Sequence, residues 1–243
     1  MRIFVFAKRC GKEILRDPLN LAFGLGFPIV LLLLLTAIQA NVPVDLFQIQ
    51  TLAPGVSVFG LSFITLFSAT LIAKDRESAL LQRLYTTPLK AVDFILGYML
   101  PIVPMAFVQG GICYLVAFAL GLPIHVNILY ACLLLFPVII FYVALGLLFG
   151  SILTVKQVGG ICGALLTNLS AWLSGVWFDL SLVGGAFEKI ASALPFMHAV
   201  ELQRLAVSGA FPQALLHALP VLGYATIIIV GAVFLFLRQM KKQ

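Results

Sequence analysis

Five long stretches without a charged residue constrain this chain more than any other feature. Among its 243 residues they cover 18–44, 46–73, 94–155, 157–178 and 205–237. A helix needs about 20 mostly apolar residues to cross a bilayer. The stretch 94–155 is long enough for two such helices and a short turn, so the pattern predicts six crossings. We expect an all-α integral membrane protein in which residues 1–243 form a single membrane domain.

The positive charge alternates between the segments that join these stretches. Thirteen of the fifteen Lys and Arg residues fall on one predicted side of the membrane, and only Lys189 and Arg204 fall on the other. Cytoplasmic segments of membrane proteins concentrate Lys and Arg in this way, so we expect both termini in the cytoplasm. The net charge of +6 then orients the helices and meets lipid headgroups, and does not indicate nucleic-acid binding.

The segments between the crossings differ in character. The predicted crossings cover about residues 19–36, 52–73, 92–120, 128–153, 158–178 and 214–237. Residues 1–17 alternate apolar and basic side chains, which predicts a helix lying in the membrane interface. Residues 74–91 form the one cytoplasmic segment between crossings that is long enough for a helix. Residues 179–212 are too apolar for a free external loop, which predicts short re-entrant helices there.

Three motifs resemble those of the bacterial ABC type-2 exporter permeases. Residues 76–89 resemble their cytoplasmic E-x-G-T-L-x-R-L-x-x-T-P-L motif, residues 173–178 the end of their fifth helix, and residues 194–204 their N-P-L-x-x-A-V-x-x-x-R stretch. The resemblance implies a multi-pass permease of the bacterial cytoplasmic membrane. It implies a second permease, identical or homologous, and two copies of a separate ABC ATPase.

The same resemblance places ATP and Mg²⁺ on the partner ATPase and no cofactor on this chain. The sequence has no G-x-x-x-x-G-K-[ST] phosphate loop, the motif by which such ATPases hold nucleotide. We therefore expect a transport subunit that is not itself an enzyme.

The cytoplasmic segment is the predicted contact with the ATPase. Leu80, Leu81, Leu84 and Tyr85 would share one side of a helix, and a short amphipathic helix can dock in a groove of another protein. The resemblance assigns coupling to Arg76, Glu77, Leu81, Arg83, Leu84, Thr87 and Pro88. The alternative is a solvated or lipid-surface helix that joins two crossings.

The external segment is the predicted gate of the transport path. The residues assigned to it are Trp177, Phe178, Pro195, Phe196, His198 and Glu201. The alternative is a lid that only stabilises the fold. His198 and Glu201 could share one helical face, but no third ligand accompanies them, so we expect neither a metal site nor a catalytic pair.

Polar residues at membrane depth are the candidates for contact with cargo. They are Ser62, Thr65, Gln109, Asn168 and Trp172, on a path between two permeases lined by the first, second and fifth crossings. The alternative is hydrogen bonding between helices. No charged residue lies at the centre of a crossing, which argues against a proton relay and a strongly charged pocket.

We therefore expect export of an amphiphilic drug, peptide antibiotic or lipid-like molecule, with a polysaccharide or lipid-linked glycan as the alternative cargo. Two other classes stay open. A membrane sensor or scaffold would have the same helices without transport. An intramembrane enzyme would need convergent ionisable groups at membrane depth, which the sequence does not show.

Overall fold

All regular structure is helical in the computed structural model, which describes residues 2–43, 45–78 and 91–240. The helices of these ranges are α1 (Arg2–Leu15), α2 (Pro18–Leu21, the π-helical Ala22–Gly26 and Phe27–Gln39), α3 (Ile49–Glu77), α4 (Ala91–Ala119), α5 (Val126–Ile152), α6 (Val155–Val158, the π-helical Gly159–Leu166 and Thr167–Leu173), α7 (Gly185–Ala193), α8 (Pro195–Ser208) and α9 (Phe211–Met240). A 3₁₀ turn, Leu180–Leu182, precedes α7.

Five helices of the described ranges are long and apolar enough to cross a bilayer. They are Ala22–Gln39, Ile49–Glu77, Val92–Ala119, Val126–Ile152 and Phe211–Leu235. These correspond to the first four predicted crossings and the sixth. The predicted fifth crossing corresponds to α6, which is outside this set and has Lys156 and Gln157 in its first turn. The sixfold crossing therefore stays a prediction.

α3 is the central helix of the bundle. It packs against α4, α5, α6 and α8, and 89% of its most apolar window is buried inside the chain, compared with 17% for Ala22–Gln39. Two glycines let α5 approach it closely. A Cβ atom added at Gly146 would lie 1.7 Å from Oγ of Ser68, and one at Gly150 would lie 2.8 Å from the carbonyl oxygen of Ala69. Glycines four residues apart commonly allow such contacts between membrane helices.

α1 packs along α4 through one buried face. Phe6, Cys10 and Ile14 are buried, and the ring of Phe6 lies edge-on to Tyr98 at 4.9 Å between centroids. The predicted N-terminal helix is thus present, and its place in the membrane interface stays a prediction. α1 and the last turn of α3 define one end of the bundle, the α1 end. The first turn of α3 lies at the opposite end with α7 and α8, which we name the α8 end.

Candidate functional site

The last turn of α3 carries a buried carboxylate with partners on two other helices. Asp75 is 1% exposed. Arg9 of α1 donates from Nη1 and Nη2 to its two carboxylate oxygens, with 2.6 Å between Nη2 and Oδ1. The hydroxyl of Tyr98 on α4 donates to Oδ2 at 2.9 Å. Burial of a carboxylate costs several kcal/mol unless such partners replace water, so Asp75 holds α1, α3 and α4 together at this point.

The next two residues of α3 bind the turn between α5 and α6. The guanidinium of Arg76 donates to the carbonyl oxygens of Ser151 and Leu153, at the end of α5. Oε1 of Glu77 accepts the backbone N–H of Val155, at the start of α6, over 2.9 Å. Helix ends leave such backbone groups without partners inside the helix, and these two side chains supply them. We name these five residues the α3-end network: Arg9, Asp75, Arg76, Glu77 and Tyr98.

The α3-end network includes the first residues of the predicted ATPase-contact segment, 74–91. Ser78 ends α3, and its N–H donates to the carbonyl oxygen of Lys74 at 2.9 Å. The other predicted coupling residues, which are Leu81, Arg83, Leu84, Thr87 and Pro88, lie outside the described residues. Arg76 and Glu77, predicted from the sequence as coupling residues, here connect the start of that segment to the α5–α6 turn.

Three members of this network are not among the residues predicted from the sequence. Asp75 stands between Lys74 and Arg76, so by sequence it is one more charge in a solvated loop. One available signal was its position at the end of an apolar helix, where a buried carboxylate needs a cation from another element. That cation is Arg9, 66 residues away, and no spacing rule connects the two.

Two aromatic residues of the predicted gate lie at the α8 end. The ring of Trp177 packs edge-on against Phe59 of α3, with centroids 5.4 Å apart. Phe178 contacts Trp172 of α6 at 5.8 Å. These contacts hold both rings beside the first half of α3 and the end of α6. They bring two predicted gate residues together with Trp172, which is predicted to contact cargo.

α8 carries the other predicted gate residues. Pro195 begins the helix, where its missing N–H costs no intrahelical bond. Phe196 packs edge-on against Phe141 of α5 at 5.8 Å. Glu201 pairs with Arg204 over 2.9 Å, one helical turn further on. α8 is thus fixed against the bundle core, and a gating movement stays a prediction.

His198 links α8 to both neighbouring helices. Its Nε2 lies 2.9 Å from the carbonyl oxygen of Ser192 on α7, and its Nδ1 lies 2.9 Å from Nδ1 of His217 on α9. Burial and the nearby His217 lower the pKa of His198, against the opposing effect of the bond to Ser192. Within the described residues no group of three or more His, Cys, Asp or Glu side chains is arranged to hold a metal ion.

The polar residues predicted to contact cargo fall into two groups. Ser62, Thr65 and Gln109 are buried. Ser62 donates to a carbonyl of its own helix at 2.7 Å, Thr65 donates to the carbonyl oxygen of Tyr142 on α5 at 2.7 Å, and Gln109 donates to that of Ser57 at 3.3 Å. These three residues make contacts within and between helices.

The second group faces outward on α6. Trp172 is 55% exposed, and Asn168 is exposed while its amide donates to the carbonyl oxygen of Ala164 at 2.8 Å. A ligand approaching the outer surface of α6 would meet these two side chains first. Their contact with cargo stays a prediction.

Comparison with known families agrees with this arrangement. The family model described as ABC-2 type transporter matches residues 1–207, from α1 almost to the end of α8. No curated protein matches the chain. The match includes the α3-end network and the segment that follows it, and the described structure is helical with five candidate spans. The chain therefore belongs to the ABC-2 type transporter family, as an integral, multi-pass permease whose ATPase is a partner protein.

Proposed function

We propose that this permease is the membrane subunit of an ATP-driven exporter in the bacterial cytoplasmic membrane, with both termini in the cytoplasm. It moves an amphiphilic molecule, such as a drug, a peptide antibiotic or a lipid-like compound, out of the cytoplasm or the inner leaflet. The working unit has two permeases, identical or homologous, and two copies of the ATPase. The ATPase binds ATP and Mg²⁺, while this chain holds no cofactor and catalyses no reaction by itself.

The α3-end network supports this proposal most directly. An ATPase that displaces residues 79–90 pulls on the last turn of α3. Arg76 and Glu77 pass that displacement to the α5–α6 turn through their three hydrogen bonds. Asp75 keeps α1 and α4 attached to the same turn of α3. Movement at the ATPase contact thus reaches α6, the helix whose outer face is predicted to meet the cargo.

A glycan is the second candidate cargo. The exposed ring of Trp172 offers a flat apolar surface on which a sugar ring could stack, and Asn168 beside it on α6 offers an amide. An amphiphile is favoured because the bundle has buried aromatic residues and hydroxyl groups but no charged residue at mid-span.

Two variants of Glu77 test the coupling route. Glu77→Ala removes the acceptor for the N–H of Val155, whereas Glu77→Gln keeps an oxygen there and removes only the charge. The assay follows ATP-dependent accumulation of a panel of amphiphilic dyes and fluorescent lipids in inverted vesicles of the host, with ATP hydrolysis measured in parallel. We expect Glu77→Ala to lower transport about tenfold, since bonds to charged groups contribute about 1.5–3 kcal/mol, and Glu77→Gln to retain most of it.

Equal amounts of permease in the vesicles are the necessary control. Normal transport by Glu77→Ala would show that this contact does not couple the two subunits. Equal loss in both variants would mean that the negative charge acts elsewhere, for example on the ATPase itself. ATP hydrolysis without transport of any dye or lipid would exclude an amphiphilic cargo and favour a glycan as the cargo.

A further inference from the structure

A cavity opens at the α8 end, on the predicted external side. Its volume is about 810 Å³, and it lies between the start of α3, residues 45–47, residues 174–181, α7 and α8. Pockets that bind small organic ligands usually measure about 300–1,000 Å³. None of the membrane-depth residues predicted to contact cargo lines this cavity, so it is a separate feature of the molecule.

One wall of the cavity is aromatic and fixed in place. Trp177 and Phe178 both line it. The Trp177 ring is held by Phe59 at 5.4 Å, and Phe178 is held between Trp172 at 5.8 Å and Phe187 at 6.3 Å. Held rings present a flat apolar surface to a ligand, and their faces attract cations within about 6 Å.

The cavity is lined by all the charged side chains of the predicted external segments. Every charged residue in the three predicted external segments, 37–51, 121–127 and 179–212, lines this one cavity. They are Asp45, Asp179, Glu188, Lys189, Glu201 and Arg204. The remaining charges of the chain belong to the predicted cytoplasmic segments, apart from Asp93 at the cytoplasmic start of the third predicted crossing. All the charged side chains predicted for the external side therefore lie around this cavity.

The guanidinium of Arg204 is already paired with groups of this chain and is not available to a ligand. Its guanidinium donates to Glu201 at 2.9 Å and to the carbonyl oxygen of Gly175 at 2.8 Å, and its Nε donates to that of Thr51 at 3.4 Å. The Glu201–Arg204 pair is therefore neutral toward the cavity. The charges that remain are the carboxylates of Asp45, Asp179 and Glu188 and the ammonium group of Lys189, so the lining is negative.

Asp179 is held in its ionised form. Hydrogen bonds from the backbone and side chain of Ser181 lower the pKa of Asp179; burial opposes this shift, and the charge of Arg204 adds to it. The N–H of Ser181 donates to Oδ1 at 3.0 Å, which fixes the position of this carboxylate beside the aromatic wall.

We infer that this cavity binds an amphiphilic organic cation, with its apolar body against Trp177 and Phe178 and its positive group toward Asp45, Asp179 and Glu188. The inference rests on the proposed function, for which it specifies the charge of the cargo at the external side. A neutral glycan would gain nothing from the carboxylates, and an anionic amphiphile would be repelled by them.

Equilibrium binding of ethidium, a permanent aromatic cation, tests this site. The full chain is purified into nanodiscs of zwitterionic phosphatidylcholine, and fluorescence anisotropy gives Kd. Neither ATP nor the ATPase is present, so failure of binding is distinguishable from failure of transport. Isosteric amides remove the charges one at a time: Asp45→Asn, Asp179→Asn, which keeps an acceptor for Ser181, and Glu188→Gln.

We expect each amide variant to weaken ethidium binding about two- to fivefold, as suits partly exposed charges, and the triple variant to weaken it about tenfold or more. Lys189→Gln should strengthen binding about twofold, because it removes the opposing charge. Asp17→Asn, at the α1 end, is the matched control and should bind as the native protein does.

Three results would overturn the inference. Native Kd in the triple variant would show that the carboxylates do not contact the ligand. Equally tight binding of the anion 8-anilinonaphthalene-1-sulfonate would show that the cavity does not select charge. Equal ethidium binding to empty nanodiscs would show that the lipid, and not the cavity, holds the dye. Monodisperse elution of each variant confirms that it has folded.

Discussion

Arg9 and Asp75 form an ion pair whose two members differ in their access to water. The side chain of Arg9 is 38% exposed, and that of Asp75 is 2% exposed. If the pair is broken, Arg9 can turn to water and still has Glu13 at 2.6 Å. The carboxylate of Asp75 stays enclosed by α1 and α4. The loss of one partner should therefore have a different effect from the loss of the other.

We expect Arg9→Met to lower the free energy of unfolding by about 3 kcal/mol, because it leaves a buried carboxylate without its cation. Asp75→Leu should cost less, about 1–2 kcal/mol, since the arginine it releases reaches solvent and only the buried hydroxyl of Tyr98 loses its acceptor. Thermal unfolding of the purified variants in one detergent measures both, with Lys12→Met as the control on the exposed face of α1. A larger loss for Asp75→Leu would contradict this ranking.

His198 gives the α8 end a dependence on pH. The carbonyl of Ser192 can only accept, so Nε2 of His198 donates to it. Nδ1 of the neutral ring is then the acceptor for the N–H of His217. A proton on Nδ1 of His198 turns this acceptor into a donor, so the bond persists only if His217 changes its tautomer. Burial together with the nearby His217 lowers the pKa of His198 and so favours the neutral ring in the folded protein.

The sign of the effect follows from the lowered pKa. The neutral ring of His198 contributes its full stabilisation of the fold above the usual histidine pKa of about 6.5. That contribution is lost as the pH falls from this value toward the lowered pKa of His198 in the folded chain. We expect the unfolding temperature of the native chain to fall more steeply between about pH 7 and pH 5 than that of His198→Gln. His125→Gln, remote from the pair, should keep the native slope, and parallel curves for all three would refute the effect.

At the scale of elements, the contact between α3 and α5 is set by small residues on α5. A side chain at Gly150 would meet the backbone of α3 at Ala69 and the Cβ atom of Ile72, both at 2.8 Å. Backbone cannot yield as a flexible side chain can. The two helices must therefore separate to accept any larger residue at this position.

Gly150→Ala should lower the free energy of unfolding by about 1–3 kcal/mol, as overpacking of a close contact does. Gly223→Ala is the matched substitution, because an added Cβ at Gly223 of α9 meets nothing within 4 Å. It should be neutral or slightly stabilising, since alanine favours the helix. Chemical unfolding of both variants in the same detergent compares them, and equal losses would show that the α3–α5 approach is not limiting.

The sequence predicts the five long apolar helices of the described ranges, because charged residues are excluded from the bilayer interior. It predicts their ends less well. The second crossing is predicted as 52–73, whereas α3 continues to Glu77. Asp75, Arg76 and Glu77 stay helical because their partners come from α1, α5 and the start of α6. The π-helical Gly159–Leu166 is likewise not visible, since glycines indicate close packing but not a widened turn.

At the scale of the whole molecule, burial indicates which helices are free to meet a second permease. The first, second and fifth crossings are predicted to line the path between permeases. α3 is enclosed by its own chain, whereas α2 has the least buried window of the five candidate spans, and α6 presents Leu169 and Trp172 outward. The path is therefore expected to be lined by α2 and α6, with α3 behind them.

A photoreactive residue at Leu34 of α2 should cross-link to a second permease in native membranes, either another copy or a homologous chain. Leu34 and Val230 of α9 are both exposed, so Val230 is the matched position and is expected to cross-link to lipid. Electrophoresis followed by mass spectrometry identifies the adducts. Permease adducts from Val230 and none from Leu34 would place the interface on α9 instead.

The candidate site could be predicted only in part, because some of its residues act through partners that are distant in the sequence. Family motifs identify Arg76 and Glu77 from the chain alone, because their sequence neighbours form the motif. The role of Asp75 depends on its contacts with Arg9 and Tyr98, which folding brings to it from other helices. The cavity at the α8 end is also invisible in the sequence, because its charges come from several separate segments.

A photoreactive residue at position 84, in native membranes, tests the central claim most directly. We expect an adduct with an ATPase that carries a phosphate loop, identified by mass spectrometry, and a change in its yield when ATP is added with vanadate. The same residue at Leu182, exposed at the α8 end, should give no such adduct. An ATPase adduct from position 182, or none from position 84 at equal labelling, would contradict coupling through the segment that follows α3.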